Sequence, residues 1–252
     1  MTDSLPQAYC FFQNLEPRPP LDAVFERDYL LYAVSGALHV TTLGQSWLLP
    51  PSFAAWIPAN TPILVDIGTP VTTCSVLVTP GFCTTMPKTP TAFQMTPMTR
   101  QMIRHCKEWG PEITHPDEAS GFFLALLNVC AGLDSKSVDI QRPLATEPIL
   151  RQAIQFTEAH LGEAITSSQV ARAINASERN MQRRFRDNLG ITWFETLTRL
   201  RMIRAVQLLA ESDASVIQIA GEVGFGSLSA FNRAFRRFAD QTPTELRSSL
   251  RD

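Results

Sequence analysis

The sequence predicts an α+β protein with two domains: an N-terminal antiparallel β-barrel with packed helices, and a C-terminal all-helical domain. Its 252 residues suffice for two modest hydrophobic cores. Of the 18 prolines, 13 lie between Pro6 and Pro97, and the later part of the chain has a helical pattern that repeats once. We place the boundary in the polar stretch 134–143, between a domain of residues 1–140 and a domain of residues 141–252.

Short runs of β-branched and aromatic residues, separated by turn residues, predict the barrel. The predicted strands are 29–34, 38–42, 47–49, 54–57, 63–67 and 71–78. Short strands at even spacing are typical of an antiparallel sandwich or barrel. Helices are predicted next at 98–109 and 118–133. The second is apolar on more than one face, so it either packs only on the barrel or also forms the seam of a homodimer.

Cysteine usage and apolar runs indicate the compartment. All five cysteines lie in the first part without a Cys-x-x-Cys pair. We interpret them as small core residues in a reducing cytosol, with a redox-sensing thiol as the alternative. Residues 1–4 do not begin a signal peptide, and the longest apolar stretch is too short to span a bilayer. We therefore expect a cytoplasmic protein without membrane contact.

The charge is distributed unevenly between the two parts. The net charge of −2 by itself argues against nucleic-acid binding. Residues 1–140, however, carry 7 basic and 12 acidic side chains, whereas residues 141–252 carry 15 basic and 12 acidic ones, and all 15 are arginine. The planar arginine fork matches phosphate and the guanine edge. The two domains are therefore expected to have different partners, with nucleic acid favoured for the second.

The helical part contains an internal duplication. Four capping boxes, in which Ser or Thr is followed three residues later by Gln or Glu, begin helices: Thr166/Gln169, Thr192/Glu195, Ser215/Gln218 and Thr242/Glu245. Asn175 of the first copy aligns with Gly224 of the second, and these residue types best tolerate a left-handed turn. Each copy is thus predicted to be a helix-turn-helix, whose second helix fits the major groove of DNA.

The second helix of each copy carries a polar stripe opposite an apolar pair. The stripes are spaced i, i+3, i+4, i+7. Their residues are Arg179, Gln182, Arg183 and Arg186 in the first copy, and Ser229, Asn232, Arg233 and Arg236 in the second. Arg, Gln and Asn read guanine and adenine through paired hydrogen bonds, and neither stripe contains an acidic residue. A solvated charged face is the alternative, which the duplication disfavours.

One helix over 192–210 is predicted to join the two copies. At about 1.5 Å per residue it spans roughly 30 Å, close to the DNA helical turn of about 34 Å. Both reading helices can therefore enter successive major-groove segments. Arg199, Arg201 and Arg204 on this helix are candidates for phosphate contacts, with a solvated face as an equal alternative.

These residues resemble the AraC/XylS family of bacterial transcription regulators. The resemblance covers about 147–247 and rests on Ala205-x-x-Leu208-Leu209, on the run Gly-Phe-x-Ser-x-Ser-x-Phe-x-Arg-x-Phe over 224–235, and on Thr242-Pro243-x-Glu245-x-Arg247. It implies binding to double-stranded DNA and contact with RNA polymerase, and it favours activation over repression. The base-contacting roles that it implies belong to Arg179, Gln182, Arg183, Leu228, Ser229, Asn232 and Arg233. Trp193 stands where the family commonly has proline.

The first part resembles the cupin-type sensor domain of the same family, through segments 30–36, 47–51 and 55–58. The resemblance implies a small-molecule effector in this domain. Polar-tipped aromatic residues and one histidine are the candidate pocket residues, with core packing as the alternative: Tyr32, His39, Trp47 and Trp56. Positions that hold histidine in many relatives are Ala23, Phe25 and Ile63 here, so neither a metal nor a cofactor is expected.

Two enzymatic alternatives are open: a cupin-type metalloenzyme, or a DNA-repair alkyl acceptor fused to an AraC-type domain. The first needs three or four metal ligands, and the second needs a reactive cysteine, usually beside a zinc-binding cysteine cluster. The sequence displays neither pattern. We expect a regulator that is not an enzyme, controlled by an effector or, alternatively, by its abundance alone.

Overall fold

The computed structural model describes residues 5–112, 115–133 and 140–251. The chain divides into two compact units, Met1–Asp139 with Ser248–Asp252, and Ile140–Arg247. Strands and two helices make up most of the first unit, and helices make up the second, which confirms the α+β class. Residues 1–4 and residues 134–139 of the expected linker lie outside the described residues. The domain bounds 1–140 and 141–252 stay a prediction.

The strands of the first unit form two antiparallel sheets. They are β1 (Ala8–Leu15), β2 (Arg18–Val24), β3 (Asp28–Ser35), β4 (Leu38–Thr42), β5 (Gln45–Leu49), β6 (Phe53–Ile57), β7 (Pro62–Ile67), β8 (Val71–Val78) and β9 (Thr91–Gln94). One sheet has the order β1-β8-β3-β6-β9 and the other the order β2-β7-β4-β5. The predicted strand runs correspond to β3 to β8. Sequence patterns missed β1, which does not alternate, β2, which contains two prolines, and β9, which is short.

The predicted antiparallel β-barrel needs one correction, because the described strands do not close into a barrel. Over the described residues, the ladder hydrogen bonds form two separate sheets. Pro19 and Pro20 explain in part why the sheets stay separate, because proline has no backbone N–H and confines β2 to a sheet edge. The pairing of β2 also has a bulge between Arg18 and Leu21. Pro50 and Pro51 lie where the chain leaves β5 of one sheet for β6 of the other. Two sheets that face each other, rather than one continuous ladder, are the result.

Helices α1 (Pro97–His105) and α2 (Asp117–Ala131) cover one face of the five-stranded sheet. Leu30 and Tyr32 of β3 and Trp56 of β6 belong to the same buried cluster as Phe123 of α2. Because successive side chains of a strand point to opposite faces, Leu31 of β3 points away from the helices and towards the other sheet. The five-stranded sheet is therefore apolar on both faces.

Most of the apolar residues of α2 pack into the core of the first unit. Its buried residues are Ala119, Phe123, Leu126, Leu127 and Cys130. Phe122 packs partly against the same cluster, whereas Leu124 is 38% exposed. Packing within the first unit thus accounts for most of the apolar residues of this helix, and a dimer seam along 118–133 stays a prediction.

The five cysteines are free thiols, and all are buried. The Sγ atoms of Cys10 and Cys74 lie 3.5 Å apart between neighbouring strands. Burial raises the pKa of the Cys130 thiol to about 12 and also raises the pKa of Cys106. Buried thiols that stay protonated are weak nucleophiles. This placement supports the interpretation of the cysteines as small core residues.

The second unit contains α3 (Pro148–Ala159), α4 (Ser167–Ala173), α5 (Glu178–Leu189), α6 (Trp193–Glu211), α7 (Val216–Glu222), α8 (Leu228–Ala239) and the start of α9 (Pro243–Arg251). The predicted capping boxes begin α4, α6 and α7 with reciprocal hydrogen bonds. At α9, the Thr242 N–H donates to the Glu245 carboxylate and the Glu245 N–H donates to Thr242 Oγ1. Each box satisfies two backbone donors that a helix start leaves unpaired.

Both helix-turn-helix turns have the left-handed backbone that the sequence predicts. The φ angles are 52° at Asn175 and 79° at Gly224. The two positions differ in their surroundings, because a Cβ atom at Gly224 would lie 2.5 Å from the Leu161 carbonyl oxygen and 2.5 Å from the Arg201 guanidinium. Position 175 thus requires only a residue that tolerates a positive φ angle. Position 224 also requires a residue without a Cβ atom, which only glycine provides.

Gly224→Ala is expected to lower the free energy of unfolding by more than about 1 kcal/mol, because alanine at a positive φ is strained and its Cβ would clash. The matched control is Gly221→Ala in α7, where the added Cβ meets no atom within 4 Å. The control is expected to raise the free energy of unfolding by roughly 0.5–1 kcal/mol. Chemical denaturation followed by circular dichroism measures both, and equal shifts would contradict this account of the turn.

Candidate nucleic-acid interface

An apolar pair anchors the second helix of each helix-turn-helix. Met181 and Phe185 of α5, and Phe231 and Phe235 of α8, are all fully buried. In the first copy the pair lies in a cluster with residues of α3, α4 and α6. In the second, the rings of Phe231 and Phe235 lie 5.6 Å apart. Because each pair faces inward at spacing i, i+4, the opposite side of each helix faces solvent.

The first reading face comprises Arg179, Gln182, Arg183 and Arg186 of α5. The structure brings these four predicted residues together on one side of the helix, with the three arginines exposed and Gln182 half-buried. Arg183 donates a hydrogen bond of 3.3 Å to Asn180 Oδ1, one turn earlier. This bond holds the Arg183 guanidinium near the N-terminal part of α5, the part of a recognition helix that contacts base edges.

The second reading face comprises Leu228, Ser229, Asn232, Arg233 and Arg236 of α8, and all five are exposed. It borders a groove of about 780 Å³, whose lining includes Leu228, Asn232, Arg233 and Arg236. The groove extends beyond the predicted residues. Its further lining residues are Val216, Arg237, Thr242, Pro243 and Thr244.

Sequence reasoning missed the part of this groove that α9 provides. Thr242 caps α9, so the groove is bordered by the N-terminus of this helix, where the capping box pairs the N–H groups of Thr242 and Glu245. The capping box at Thr242 was visible in the sequence. Only the fold, however, places the start of α9 beside α8.

The arginines of the reading faces differ from several other arginines of the second unit, which are paired with carboxylates. Away from these faces, carboxylates neutralise arginines in the ion pairs Arg142–Glu158, Arg184–Glu147 and Arg204–Glu222. Among the described residues, neither a hydrogen bond nor an ion pair is found for Arg179, Arg186, Arg233 and Arg236. The guanidinium groups on the two solvent-exposed helix faces are therefore available to DNA.

The arginines of α6 have intramolecular partners. Arg199 donates to the Gln141 carbonyl oxygen at 2.7 Å, and Arg204 donates to Gln207 at 2.7 Å besides its ion pair. Phosphate contacts by the arginines of α6 stay a prediction, and their side chains do not form a merely solvated face. These side chains tie α6 to its surroundings.

Arg201 connects the two helix-turn-helix copies. Its Nε donates to the Leu161 carbonyl oxygen at 3.0 Å, and its Nη2 donates to the Glu163 carbonyl oxygen at 2.7 Å, both just after α3. Its guanidinium also lies over the Phe225 ring, 5.7 Å from the centroid, in the turn of the second copy. Arg201 therefore positions the first copy relative to the second, a role that the sequence pattern did not reveal.

Trp193, where the family commonly has proline, is a core residue. It is 4% exposed at the first position of α6, and its Nε1 donates to Thr157 Oγ1 at 3.0 Å. The Thr157 hydroxyl in turn donates to the Ala153 carbonyl oxygen at 2.7 Å. This chain of hydrogen bonds joins α6 to α3 and satisfies both buried polar groups.

The four candidate effector residues of the first unit are not brought together. Tyr32 and Trp56 lie in the core beneath the helices. Trp47 is buried in β5, and His39 lies on β4, next to Leu38, which points to the opposite face of the sheet. None of the four lines the cavity of about 330 Å³ between the two sheets. Their assignment to an effector stays a prediction.

Two further observations concern metals and membranes. Within 5–112, 115–133 and 140–251, no three His, Cys, Asp or Glu side chains are grouped as a metal site would require. In the same part of the chain, every helix is too short or too polar to span a bilayer.

Comparison with known proteins identifies the helical unit. A family model described as a helix-turn-helix domain matches residues 170–249. The chain is 31% identical over 150 residues to the HTH-type transcriptional activator RhaS of Citrobacter koseri, covering 59% of this chain and 52% of that protein. It is 24% identical over 216 residues to the HTH-type transcriptional regulator NimR of Escherichia coli, covering 85% of this chain and 77% of that protein.

Among solved structures, a transcriptional regulator with an AraC-type DNA-binding domain from Chromobacterium violaceum is 30% identical. The match covers 42% of this chain and 94% of that chain, with a TM-score of 0.41. The fold and the sequence matches together define the class: residues 170–249 form a helix-turn-helix domain similar to those of HTH-type transcriptional regulators. The chain spans about half the length of the RhaS relative, at 52%.

Arg183→Ala and Arg233→Ala are each expected to weaken binding to a cognate duplex by roughly 1–3 kcal/mol and to relax the preference at one base position. The duplex is obtained by selection from random DNA, and affinity is measured by fluorescence anisotropy. Arg151→Ala, which removes an exposed arginine of α3 away from both reading faces, is the matched control and should retain affinity. Unchanged affinity and footprint in both variants would show that the reading faces are assigned wrongly.

Arg201→Met is expected to loosen the spacing between the two copies, because it removes two hydrogen bonds to carbonyl oxygens after α3. Duplexes with one or two base pairs inserted between the recognition segments measure this. The unaltered protein should discriminate against the insertions, and Arg201→Met should discriminate several-fold less while keeping the same base preferences. Arg204→Met, which loses an exposed ion pair, is the control. Loss of base preference without any change in spacing tolerance would contradict the positioning role.

Proposed function

We propose that this chain is a transcription regulator that binds double-stranded DNA through both helix-turn-helix copies and reads two successive major-groove segments. One observation carries the proposal: two matched helices present unpaired arginines on exposed faces, and one continuous helix joins the two copies. The joining helix α6 has 19 residues, which corresponds to roughly 28 Å at about 1.5 Å per residue. This length is comparable with one turn of DNA, about 34 Å.

Activation of transcription, with contact to RNA polymerase, is the favoured mode. The resemblance to the AraC/XylS family supports it, and RhaS, to which this chain is similar, is named as an activator. The proposed location is the cytoplasm, where DNA and polymerase are found. Homodimerisation along residues 118–133 also belongs to the proposal, and the exposed Leu124 of that helix supports it.

A small-molecule effector is proposed to bind the first unit and to shift how often the two reading helices fit DNA. The cavity between the two sheets supports this proposal. The enzymatic alternatives have less support, because the cysteines that an alkyl acceptor would use are buried. Genome-wide mapping of bound DNA tests the regulatory function as a whole. Enrichment at promoters supports it, and uniform recovery of the genome contradicts it.

Binding of the full chain to its selected duplex is expected to weaken steeply with salt, because arginine–phosphate contacts release counterions. The logarithm of the association constant should fall with the logarithm of the salt concentration by about 0.9 per phosphate contact. Arg186→Ala and Arg236→Ala, which remove exposed and unpaired arginines, should each reduce this slope by about 1 if the residue contacts phosphate. The control Arg151→Ala should leave it unchanged, and a flat salt dependence would contradict the electrostatic part of the proposal.

A further inference from the structure

We propose that the cavity between the two sheets of the first unit binds a small organic acid, with an apolar body inside the cavity and one carboxylate at Arg18. The inference rests on the proposed function in one respect: it names the class of the effector. It moves the site from the aromatic residues that the sequence suggested to a different set of side chains, contributed by both sheets.

The size and lining of the cavity suit a small molecule. Its volume of about 330 Å³ lies at the lower end of the range for such sites, roughly 300–1,000 Å³. Leu31 and Leu77 of one sheet and Leu38 and Ile63 of the other line its interior, and each is at most 5% exposed. An apolar ligand body enclosed between these side chains is removed from water, which favours binding.

The mouth of the cavity is apolar and open to solvent. Phe11 of β1 is 39% exposed and Leu21 of β2 is 46% exposed, and both line the cavity. These two side chains belong to edge strands of different sheets. Large apolar side chains that stay exposed at the entrance of a cavity are typical of a binding site rather than of a sealed core.

Strand register divides the cavity into a polar and an apolar end. In the pairing of β1 with β8, Gln13 lies opposite Thr73, and four residues away Tyr9 lies opposite Leu77. Tyr29 of β3 also pairs with Leu77. At about 3.4 Å per residue, the two ends are roughly 14 Å apart. Gln13 and Thr73 thus mark a polar end, and Tyr9, Tyr29 and Leu77 mark an end dominated by rings and methyl groups.

Arg18 lies at the polar end. Only two residues separate β1, which ends at Leu15, from β2, which begins at Arg18, so this arginine follows directly on the Gln13 end of β1. At the other end of β2, Ala23 pairs with Ile63. The charged, amide and hydroxyl groups of Arg18, Gln13 and Thr73 are therefore collected at one end of the cavity, and the lining residues of the other end carry no charge.

The charge at the polar end selects an acid. Arg18 is the single charged residue among those that line the cavity. Within the described part of the chain, no hydrogen bond or ion pair is found for its guanidinium. A guanidinium fork binds a carboxylate through two parallel hydrogen bonds. An elongated apolar molecule with one terminal carboxylate matches both the charge and its position.

Isothermal titration calorimetry of the full chain with 2-naphthoate and its uncharged isostere 2-naphthamide tests this inference. 2-Naphthoate should bind at least tenfold more tightly, since a hydrogen bond to a charged group contributes enough to account for a tenfold change. Arg18→Gln should remove this preference and leave the weak binding of 2-naphthamide unchanged. Lys88→Gln, which removes an exposed cation of the same unit that does not line the cavity, should keep the preference.

Ala23→Trp supplies the complementary variant, because a large side chain at the apolar end should abolish binding of both probes. Circular dichroism verifies its fold, and the exposed Arg18→Gln substitution decides the matter if Ala23→Trp does not fold. Binding of neither probe to the unaltered protein, or an unchanged preference for 2-naphthoate in Arg18→Gln, overturns the inference.

DNA binding, measured on the same samples, separates this inference from the proposed function. Intact DNA binding without probe binding overturns the acid site alone. Probe binding with the expected Arg18 dependence, but without sequence-specific DNA binding, supports the acid site and overturns the regulatory proposal.

Discussion

The arrangement of the second unit depends on the approach of Arg201 to the turn at Gly224. The guanidinium donates to two carbonyl oxygens after α3 and lies over Phe225, and it reaches this place because Gly224 has no side chain. Burial lowers the pKa of Arg201 without removing its charge at neutral pH. Three elements are thus held by one side chain: the end of α3, the middle of α6 and the turn of the second helix-turn-helix. The relative placement of the two reading faces follows from this contact and from the length of α6.

Two groups of arginines in the second unit differ in their pairing, those paired with carboxylates and those of the reading faces. The second unit holds many arginines and almost as many carboxylates, so its net charge alone carries little information about DNA. The ion pairs are more informative about DNA binding than the net charge. The pairs Arg142–Glu158, Arg184–Glu147 and Arg204–Glu222 neutralise arginines away from the reading faces. The arginines of the two faces keep their charge for a partner outside the chain. An unpaired arginine costs little in solvent, which allows the folded protein to hold these charges ready.

The first unit uses the two faces of one sheet for different purposes. Leu30 and Tyr32 of β3 build the core under the helices, while Tyr29 and Leu31 of the same strand face the cavity. Because successive side chains of β3 point to opposite faces of the sheet, the same strand contributes to the packed core on one face and to the cavity on the other. It also explains why Tyr32 does not line the cavity: it is one residue away from Leu31, which does.

Features under local control could be predicted from the amino-acid sequence. Capping boxes mark helix starts because their hydrogen bonds span only three residues, left-handed turns favour Asn or Gly whatever surrounds them, and periodicity places Arg183 and Arg233 on exposed helix faces. The contacts of Arg201, the groove at the start of α9, the division into two sheets and the cavity ending at Arg18 instead required the folded chain. A local pattern specifies which way a side chain points relative to its own strand or helix. It does not specify which element lies opposite, because packing and strand pairing between distant segments select that partner.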